Sequence, residues 1–315
     1  MAVIGAGSMG RNHARVLASL PGAELAAIYD QDAGRARDVA KAHRTRATTS
    51  LDEVIPMVDA VAVATPTVTH EAVGLKMLEA GIHVFVEKPI TDSTSGARNL
   101  IEKARERDRV LQVGHIERFN PVIAELESRL THPRFIEAHR LSPFPNRSMD
   151  IGVVLDLMIH DLEIILHLVK SEIASIDAVG INVLTSHEDI ANARLRFANG
   201  CVANITTSRI SPDKMRKIRV FQDDAYLSLD YQNQEGHIVR KGGLFGITKD
   251  KVKIEKDEPL KRELASFVEC AKTGRRPQVS GQEGLAALEL ALKISDLIAR
   301  GGGYMPVSKT ADASA

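Results

Sequence analysis

The chain has 315 residues, of which 44% are apolar and 26% charged, so it is long enough for two domains and has the composition of an ordinary globular protein. Its 41 Lys and Arg residues balance 41 Asp and Glu residues, so no overall attraction to nucleic acid or to an anionic membrane is expected. The most apolar segment, residues 153–169, is interrupted by five acidic or histidine residues and is not expected to cross a membrane. Cys201 and Cys270 lie in no metal-binding motif, which predicts reduced thiols and a cytoplasmic location.

The first part of the chain, residues 1–118, alternates short apolar segments with amphipathic ones. Strands are predicted at residues 2–4, 24–29, 59–65, 83–87 and 110–113, and helices at residues 12–20, 33–42, 69–80 and 93–107. The strand segments are apolar on both faces, as is typical of parallel strands that helices cover on both sides. This part is therefore predicted to be a doubly wound α/β domain.

After Pro121 the pattern changes to one helix followed by alternating strands with no helix between them. Helices are predicted at residues 153–169, 259–273 and 281–300, and strands at residues 174–184, 190–198, 201–208, 216–221, 225–231 and 237–241. The Asn199-Gly200 pair predicts a hairpin in an antiparallel meander, because both residues tolerate positive φ. We therefore predict an α+β domain with an open, mainly antiparallel sheet over residues 119–300, and a flexible Gly-rich tail over residues 301–315.

A glycine motif of the form G-x-G-x-x-G follows the first strand directly and opens the first helix, with Gly5, Gly7 and Gly10 as its glycines. The first glycine permits a tight turn, the second lets a pyrophosphate approach the backbone, and the third permits close helix–strand packing. Ser8 and Met9 then lie at a helix N-terminus, where free amides and the helix dipole favour phosphate. The motif predicts a dinucleotide site in a Rossmann domain.

The second predicted strand ends in an acidic residue, Asp30, twenty residues after the last glycine of the motif. A carboxylate at this position accepts hydrogen bonds from the adenine ribose and repels a 2′-phosphate, which favours NAD. Arg35 is close enough in sequence to keep NADP open as the alternative. A glycine turn beside an unrelated surface acid is the competing interpretation, and the strand before and the helix after the motif disfavour it.

Two further loops follow the third and fourth predicted strands, at the strand ends where open α/β sheets bind ligands. Thr65 and Pro66 lie in the first loop, with His70 just beyond them, and Glu87 and Lys88 lie in the second. All five are expected at the cofactor, with Lys88 facing the crevice for the nicotinamide. The alternative for Lys88 is a solvated turn residue.

The helix predicted at residues 153–169 carries a polar stripe on an otherwise apolar surface. Asp156, His160, Glu163 and His167 fall within about 60° of one another at 100° per residue, whereas Asp161 points elsewhere. The i,i+4 spacing lets Asp156 orient His160, and an oriented histidine takes the hydroxyl proton in alcohol oxidation. A stripe that faces solvent and a metal site remain alternatives, although no recognised zinc signature is present.

Basic residues also stand out around the second domain. They are Arg118, Arg140, Arg147, Lys214, Arg216, Lys217 and Arg219. Any one of them is more often part of a solvated surface than of a binding site. Together they indicate an anionic substrate such as a nucleotide diphosphate.

The chain resembles the Gfo/Idh/MocA oxidoreductase family from Ala2 to about Gly301. The resemblance rests on the glycine motif and on the tripeptide Ala64-Thr65-Pro66 with His70. It also rests on the sequence GIHVFVEKP at residues 81–89 and on the D-x-x-x-H-D segment at residues 156–161. It implies a Rossmann domain and an open-sheet domain that forms homodimers or homotetramers. It further implies that Lys88 is the active-site lysine, His160 the general base and Asp156 its orienting partner, without a metal.

Within the family, VGHIERFNP at residues 113–121 and DIGVVLD at residues 150–156 are most similar to UDP-N-acetylglucosamine 3-dehydrogenases of lipid A biosynthesis. Those enzymes oxidise the sugar 3-hydroxyl to a ketone, which a partner aminotransferase converts to an amine. The resemblance thus implies NAD-dependent oxidation of a nucleotide sugar. The residues expected to contact the substrate are Arg118, Asn120, Arg147, Lys214 and Arg216.

Three other functions stay open at this point. One is a dehydrogenase of another sugar or polyol, of the inositol or glucose type, and a second is a lyase or glycosidase that uses NAD transiently. Both would use the same catalytic residues as the nucleotide-sugar dehydrogenase. The third, a dinucleotide-sensing protein without turnover, is disfavoured because it leaves Lys88 and the Asp156/His160 pair without a role and because no helix-turn-helix accompanies the fold.

Overall fold

The structure is a computed structural model that describes residues 1–144, 151–242 and 246–307. Contacts between its Cα atoms divide the chain into two units. The first consists of Met1–Phe119 and Asp257–Leu288, and the second of Asn120–Lys256 and Glu289–Ala315. Among the described helices, none has the length and apolar character needed to cross a bilayer.

The first unit contains a six-stranded sheet whose neighbouring strands are all parallel. Its strands are β1 (Ala2–Ile4), β2 (Ala27–Tyr29), β3 (Arg46–Thr48), β4 (Ala60–Val63), β5 (His83–Glu87) and β6 (Leu111–Gly114), in the order β3-β2-β1-β4-β5-β6. Its first helices are α1 (Ser8–Leu17), α2 (Ala33–His43), α3 (Leu51–Val54), α4 (His70–Glu79) and α5 (Thr94–Glu106). The strand order reverses between β1 and β4, which is where doubly wound folds bind their ligands. The predicted Rossmann domain is confirmed.

Two details of this unit differ from the sequence-based expectations. Helix α1 begins at Ser8 and not at residue 12, because the glycine motif itself enters the helix. Strand β3 was not predicted, since it is only three residues long, lies at the sheet edge and starts with an exposed Arg46. Short polar edge strands lack the apolar run by which a strand is recognised.

The second unit contains a nine-stranded, mainly antiparallel sheet, as predicted. Its strands are β7 (Pro133–Leu141), β8 (Ile173–Ile181), β9 (Ile190–Phe197), β10 (Val202–Ser208), β11 (Met215–Gln222), β12 (Ala225–Asp230), β13 (Glu235–Gly242), β14 (Gly246–Val252) and β15 (Gly303–Pro306). Their order is β14-β13-β12-β11-β7-β10-β9-β8-β15, and only the β7–β10 pair in the described sheet is parallel.

The predicted meander is interrupted by β7, which lies between β10 and β11. Strand β7 was not predicted from the sequence, because Arg140 occupies one of its buried positions, where an alternating pattern calls for an apolar residue. The predicted hairpin joins β9 to β10, but of the Asn199-Gly200 pair only Gly200 has positive φ. The tail predicted to be flexible from residue 301 instead contributes the edge strand β15, which pairs with β8.

The remaining helices complete both units. They are α6 (Pro121–Glu127), α7 (Ile159–Val169), which a π-helical turn (Val154–Met158) precedes, α8 (Pro259–Thr273) and α9 (Gly281–Ala299). Residues 119–300 were predicted to form one domain, whereas residues 257–288 group with the first unit. The reason is that α8 buries Leu264 and Phe267 in the core of the first sheet, where the Phe267 ring meets Phe85 edge to face at 5.7 Å. A helix's own pattern shows that it has an apolar face but not which sheet that face covers.

Candidate active site

The glycine motif has the geometry that a pyrophosphate needs. Gly5 has φ +101°, and its amide donates to the carbonyl of Tyr29 at 2.8 Å. A Cβ on Gly10 would lie 1.7 Å from the carbonyl oxygen of Gly5, so only glycine permits this packing, whereas a Cβ on Gly7 would meet nothing within 4 Å. Gly7 is also the N-cap of α1, and the first turn of α1 has no side-chain cap and no acidic residue. Uncapped amides beside open space fit the phosphates of NAD.

Asp30 is buried, and both of its carboxylate oxygens are engaged. Oδ2 accepts from the amide of Ala6 at 2.8 Å, and Oδ1 accepts from the amide of Asp32 at 2.9 Å. The half-exposed guanidinium of Arg35 lies 3.2 Å from Oδ1. Asp30 therefore ties the glycine loop to the end of β2, which is a structural task that the sequence did not reveal.

His70 joins the two loops that follow β4 and β5. Its Nδ1 lies 3.0 Å from the carbonyl of Pro89 and its Nε2 lies 3.0 Å from the carbonyl of Thr65. The ring is 1% exposed, and burial lowers the pKa of His70, although the two carbonyls oppose that effect. Since both ring nitrogens face backbone carbonyls, His70 is placed to hold these loops together, and its expected contact with the cofactor stays a prediction.

Glu87 forms a hydrogen bond with a histidine of α1 that was not among the predicted site residues. Its Oε1 lies 2.7 Å from Nε2 of His13, a fully buried residue of α1 whose ring also meets Phe85 edge to face at 5.2 Å. Its Oε2 accepts from the amide of Lys88 at 3.3 Å. The available signal was the position of His13 three residues after Gly10, on the same buried face of α1. Glu87 thus connects the cofactor helix to the loop that carries Lys88.

Two cations and a neutral imidazole lie together in the first unit. Burial, reinforced by the positive charges of Lys88 and Arg118, lowers the pKa of His115 to about 3. His115 is 1% exposed, Arg118 is also buried, and Lys88 is half-buried, in the loop after β5 whose Lys88–Pro89 peptide is cis. A neutral His115 adds no third positive charge beside Lys88 and Arg118.

In the second unit, the predicted polar stripe lies on a π-helical turn that continues into α7. Asp156, in the turn, and Glu163, in α7, are buried, so the interpretation that this stripe faces solvent is wrong. His160 is half-buried, and His167 forms a hydrogen bond with Glu127. The π turn is wider than an α turn, so the 100° spacing assumed for Asp156 and His160 does not hold there. Such turns are frequent at functional sites.

Asp161 points away from that stripe, as predicted, and forms a buried ion pair with Arg140. Nε and Nη2 of Arg140 donate to the two carboxylate oxygens at 2.7 and 3.0 Å. Arg140 lies directly opposite Arg216 on β11, and its guanidinium carbon is 6.0 Å from the centre of the Tyr231 ring. Among described residues, no cluster of three or more His, Cys, Asp or Glu side chains could hold a metal ion.

The other residues predicted to bind substrate have different surroundings. Asn120 is buried, caps α6 through the amide of Val122 at 3.2 Å and donates to the carbonyl of Tyr231 at 3.1 Å. Lys214 is exposed in the loop before β11, and Arg147 lies outside the described residues.

Two more cations of the basic run lie on β11. There, Lys217 and Arg219 face the opposite side of the sheet from Arg216 and are matched by Asp230 and Glu137 at 3.9 and 3.2 Å. Neutralised cations on that side contribute little attraction for an anionic ligand.

Family models match both parts of the chain. The oxidoreductase family with an NAD-binding Rossmann fold matches residues 1–115, and the Gfo/Idh/MocA C-terminal domain matches residues 123–228. A UDP-N-acetylglucosamine 3-dehydrogenase from Acidithiobacillus ferrooxidans is 39% identical over 298 residues, which cover 93% of this chain and 95% of that one. A scyllo-inositol 2-dehydrogenase (NAD(+)) from Bacillus subtilis is 28% identical over 328 residues, which cover 97% of this chain and 95% of that one.

Solved structures agree with the family models. The structure of the UDP-N-acetylglucosamine 3-dehydrogenase from Acidithiobacillus ferrooxidans matches with a TM-score of 0.90 at 39% identity and covers 94% of this chain and 96% of that one. A levoglucosan dehydrogenase in complex with NADH and levoglucosan matches with a TM-score of 0.89 at 17% identity, covering 98% of this chain and 99% of that one, which is a likeness of fold alone. The chain belongs to the Gfo/Idh/MocA family of NAD-binding oxidoreductases.

Proposed function

We propose that this protein is an NAD-dependent dehydrogenase that oxidises the 3-hydroxyl of UDP-N-acetylglucosamine to a ketone. The observation that carries the proposal is the 39% identity to a UDP-N-acetylglucosamine 3-dehydrogenase over 93% of the chain, which takes in both units. Arg216 on β11 supports an anionic substrate such as a nucleotide diphosphate, whereas Arg140 opposite it is neutralised by Asp161.

The cofactor half of the reaction uses the first unit. The amides at the start of α1, beside Gly7, hold the pyrophosphate. Asp30 accepts hydrogen bonds from the adenine ribose and also keeps the glycine loop in place. Bound NAD supplies the hydride acceptor. Lys88, on a loop held by Glu87 and His70, donates a hydrogen bond to the reacting oxygen and stabilises the negative charge that develops on it.

The proton half uses the π turn and α7. His160 accepts the proton of the sugar hydroxyl while the hydrogen on the same carbon leaves as hydride, so the C–O single bond becomes a carbonyl. Asp156 orients the imidazole and stabilises its protonated form. The products are the 3-keto sugar, NADH and one proton on His160, which passes to solvent.

The test is NADH formation, followed by absorbance, with UDP-N-acetylglucosamine, UDP-glucose, myo-inositol and glucose, each with NAD or NADP. A 3-keto-sugar aminotransferase with an amino donor should be present as a trap, because oxidation of an isolated hydroxyl can be unfavourable. We expect signal with the UDP-amino sugar and NAD. Signal with myo-inositol alone would reject this substrate in favour of the polyol alternative that the scyllo-inositol dehydrogenase relative supports.

A pair of histidine variants tests the assignment of the base. His160→Ala should bind NAD as the wild type does and lose most turnover. His167→Ala, on the same helix but bonded to Glu127, is the matched control and should keep it. Full turnover in His160→Ala would reject the base assignment.

A different outcome in the wild type would identify an enzyme that oxidises its substrate transiently: the cofactor would stay tightly bound, without net NADH release.

We also propose a homodimer or homotetramer built through the sheet of the second unit. Val179 and Ile181 on β8 and Tyr304 on β15 each expose more than half of their surface, which favours burial against another surface. Light scattering coupled to gel filtration tests this, and a monomer at micromolar concentration would contradict it.

Buried, free Cys201 and Cys270 support a cytoplasmic location, where the keto product would serve an aminotransferase.

A further inference from the structure

The helix that carries Asp156 and His160 begins without a cap of its own. Its N-cap position is Val153, whose side chain has no hydrogen-bonding atom. The first amides of a helix have no partner within the helix, so another group must satisfy them. The first turn here is π-helical, a conformation that is rare in general but frequent at functional sites.

Glu188, in the loop between β8 and β9, supplies the missing cap. Its backbone carbonyl accepts from the amide of Val153 at 3.1 Å, and its Oε1 accepts from the amide of Val154 at 3.3 Å. A Cβ on Gly152 would lie 1.9 Å from Oε1, so the carboxylate occupies the space that a side chain at position 152 would need. A negative charge at this end also interacts favourably with the helix dipole.

The loop that presents Glu188 is itself held by a buried ion pair. Asp189 is fully buried and accepts from the amides of Val183, Leu184 and Thr185 at 2.8, 2.6 and 2.9 Å, and from Nε of Arg209 at 2.8 Å. Burial alone would raise the pKa of Asp189, but these donors outweigh it and hold the pKa well below its ordinary value. The carboxylate is therefore charged at neutral pH, and its hydrogen bonds hold residues 183–185 and Arg209 around it.

Arg209 extends this support to the helix start. Its Nη1 donates to the carbonyl of Ile151 at 2.8 Å, and its Nη2 donates to the hydroxyl of Thr185 at 2.7 Å. Residues on both sides of Gly152 are thus bonded to the loop, Ile151 through Arg209 and Val153 through Glu188. Each of these bonds joins elements of the second unit.

We propose that Glu188 is a positioning residue for the proton-accepting histidine. It caps the helix start from outside, and with Arg209 it sets the position of the π turn that carries Asp156 and leads to His160. The inference rests on the proposed function, because it takes His160 as the base. Glu188 touches neither substrate nor cofactor in this role and acts through the helix.

Four variants separate this role from general stabilisation. Glu188→Ala removes the cap, Glu188→Gln keeps an acceptor oxygen without the charge, and Gly152→Ala displaces the carboxylate from the other side. Glu255→Ala, at an exposed position elsewhere in the second unit, is the matched control. The double variant Gly152→Ala/Glu188→Ala should be no worse than the more impaired single variant, because both substitutions break one contact.

Amide hydrogen exchange over residues 151–158, read by mass spectrometry without substrate, is the first measurement. Loss of the cap should speed exchange there by about fivefold in Glu188→Ala and Gly152→Ala, whereas Glu188→Gln should stay within about twofold of the wild type. Unchanged exchange in both alanine variants would overturn the proposal, as would equal acceleration in Glu255→Ala.

Turnover is the second measurement. In Glu188→Ala and Gly152→Ala, kcat should fall by at least about fivefold with a shifted pH profile, while the Kd for NAD stays unchanged, because the base is misplaced and the cofactor residues are intact. Rescue of kcat by Glu188→Gln would agree with positioning, and an unchanged kcat despite faster exchange would overturn it. If the wild type oxidises none of the substrates, the proposed function fails, yet the exchange measurement still decides whether Glu188 fixes this turn.

Discussion

Lowering the pH should destabilise the protein through His115. The folded-state pKa of this buried histidine is about 3, because burial and the charges of Lys88 and Arg118 disfavour the imidazolium, whereas the ordinary value is 6.5. The unfolded chain therefore takes up a proton near pH 6.5 that the folded chain refuses until about pH 3. The free energy of unfolding is highest above pH 6.5 and falls as the pH decreases through this window.

The size of the effect follows from the gap between the two pKa values. Each pH unit between them costs about 1.4 kcal/mol, so the full effect is about 5 kcal/mol, and the part lost between pH 8 and pH 5 is about 2 kcal/mol. Other histidines also have lowered pKa values and contribute to the total. They are His70, His83, His139 and His237.

Urea unfolding of the wild type and of His115→Asn at pH 8, 6.5 and 5 isolates this one group. The variant is less stable at pH 8, but its free energy of unfolding should fall by about 2 kcal/mol less than that of the wild type between pH 8 and pH 5. His132→Asn, at an exposed position, is the control and should follow the wild type. Equal pH dependence in His115→Asn and the wild type would refute the reasoning, because it would mean that the folded protein protonates His115 as readily as the unfolded chain.

Four further substitutions test the surroundings of the site. Gly7→Ala should weaken NAD binding at least about tenfold in calorimetry with an unchanged free energy of unfolding, since its Cβ enters open space. Gly10→Ala should lower both the affinity for NAD and the free energy of unfolding. Equal losses of stability in the two variants would contradict this difference. Asp189→Ala should lower the free energy of unfolding by about 3–5 kcal/mol in urea, because it leaves the guanidinium of Arg209 buried without the Asp189 carboxylate. A loss below about 1 kcal/mol would show that the pair is not tightly coupled. His70→Phe should cost about 1–3 kcal/mol by the same assay, because a buried backbone carbonyl loses the N–H that the neutral ring donates, and an unchanged free energy of unfolding would mean that water replaces this donor.

Much of the candidate cofactor site was predictable because its determinants are local. Gly5, Gly7 and Gly10 lie within six residues, and the conformations they permit depend on the missing Cβ of each residue more than on distant contacts. The strands β1, β4 and β5 are apolar on both faces and were recognised for the same reason. Lys88 directly follows such a strand, and its role in the site, predicted from that position, stays a prediction.

The contacts that hold the candidate catalytic groups were not predictable. His13 and Glu87 are 74 residues apart and meet only because α1 packs under β5. Glu188 reaches the start of the helix that carries Asp156 and His160 from a loop 34 residues further along the chain, and no sequence pattern marks it as a cap. The π turn at Asp156 also altered the helical spacing from which the polar stripe was derived.

The sequence by itself determined the glycine loop, the order of alternating strands and helices in the first unit, and the mainly antiparallel second sheet, because periodicity and backbone freedom are properties of neighbouring residues. Only the tertiary structure decided that β7 lies inside the second sheet, that α8 packs with the first, and which polar groups support Lys88, Asp156 and His160. A buried Arg140 or a half-buried Glu188 looks like a surface residue until its partner is known. The free energy that allows a polar group to be buried comes from hydrogen bonds to groups distant in sequence, and those bonds exist only once the chain has folded.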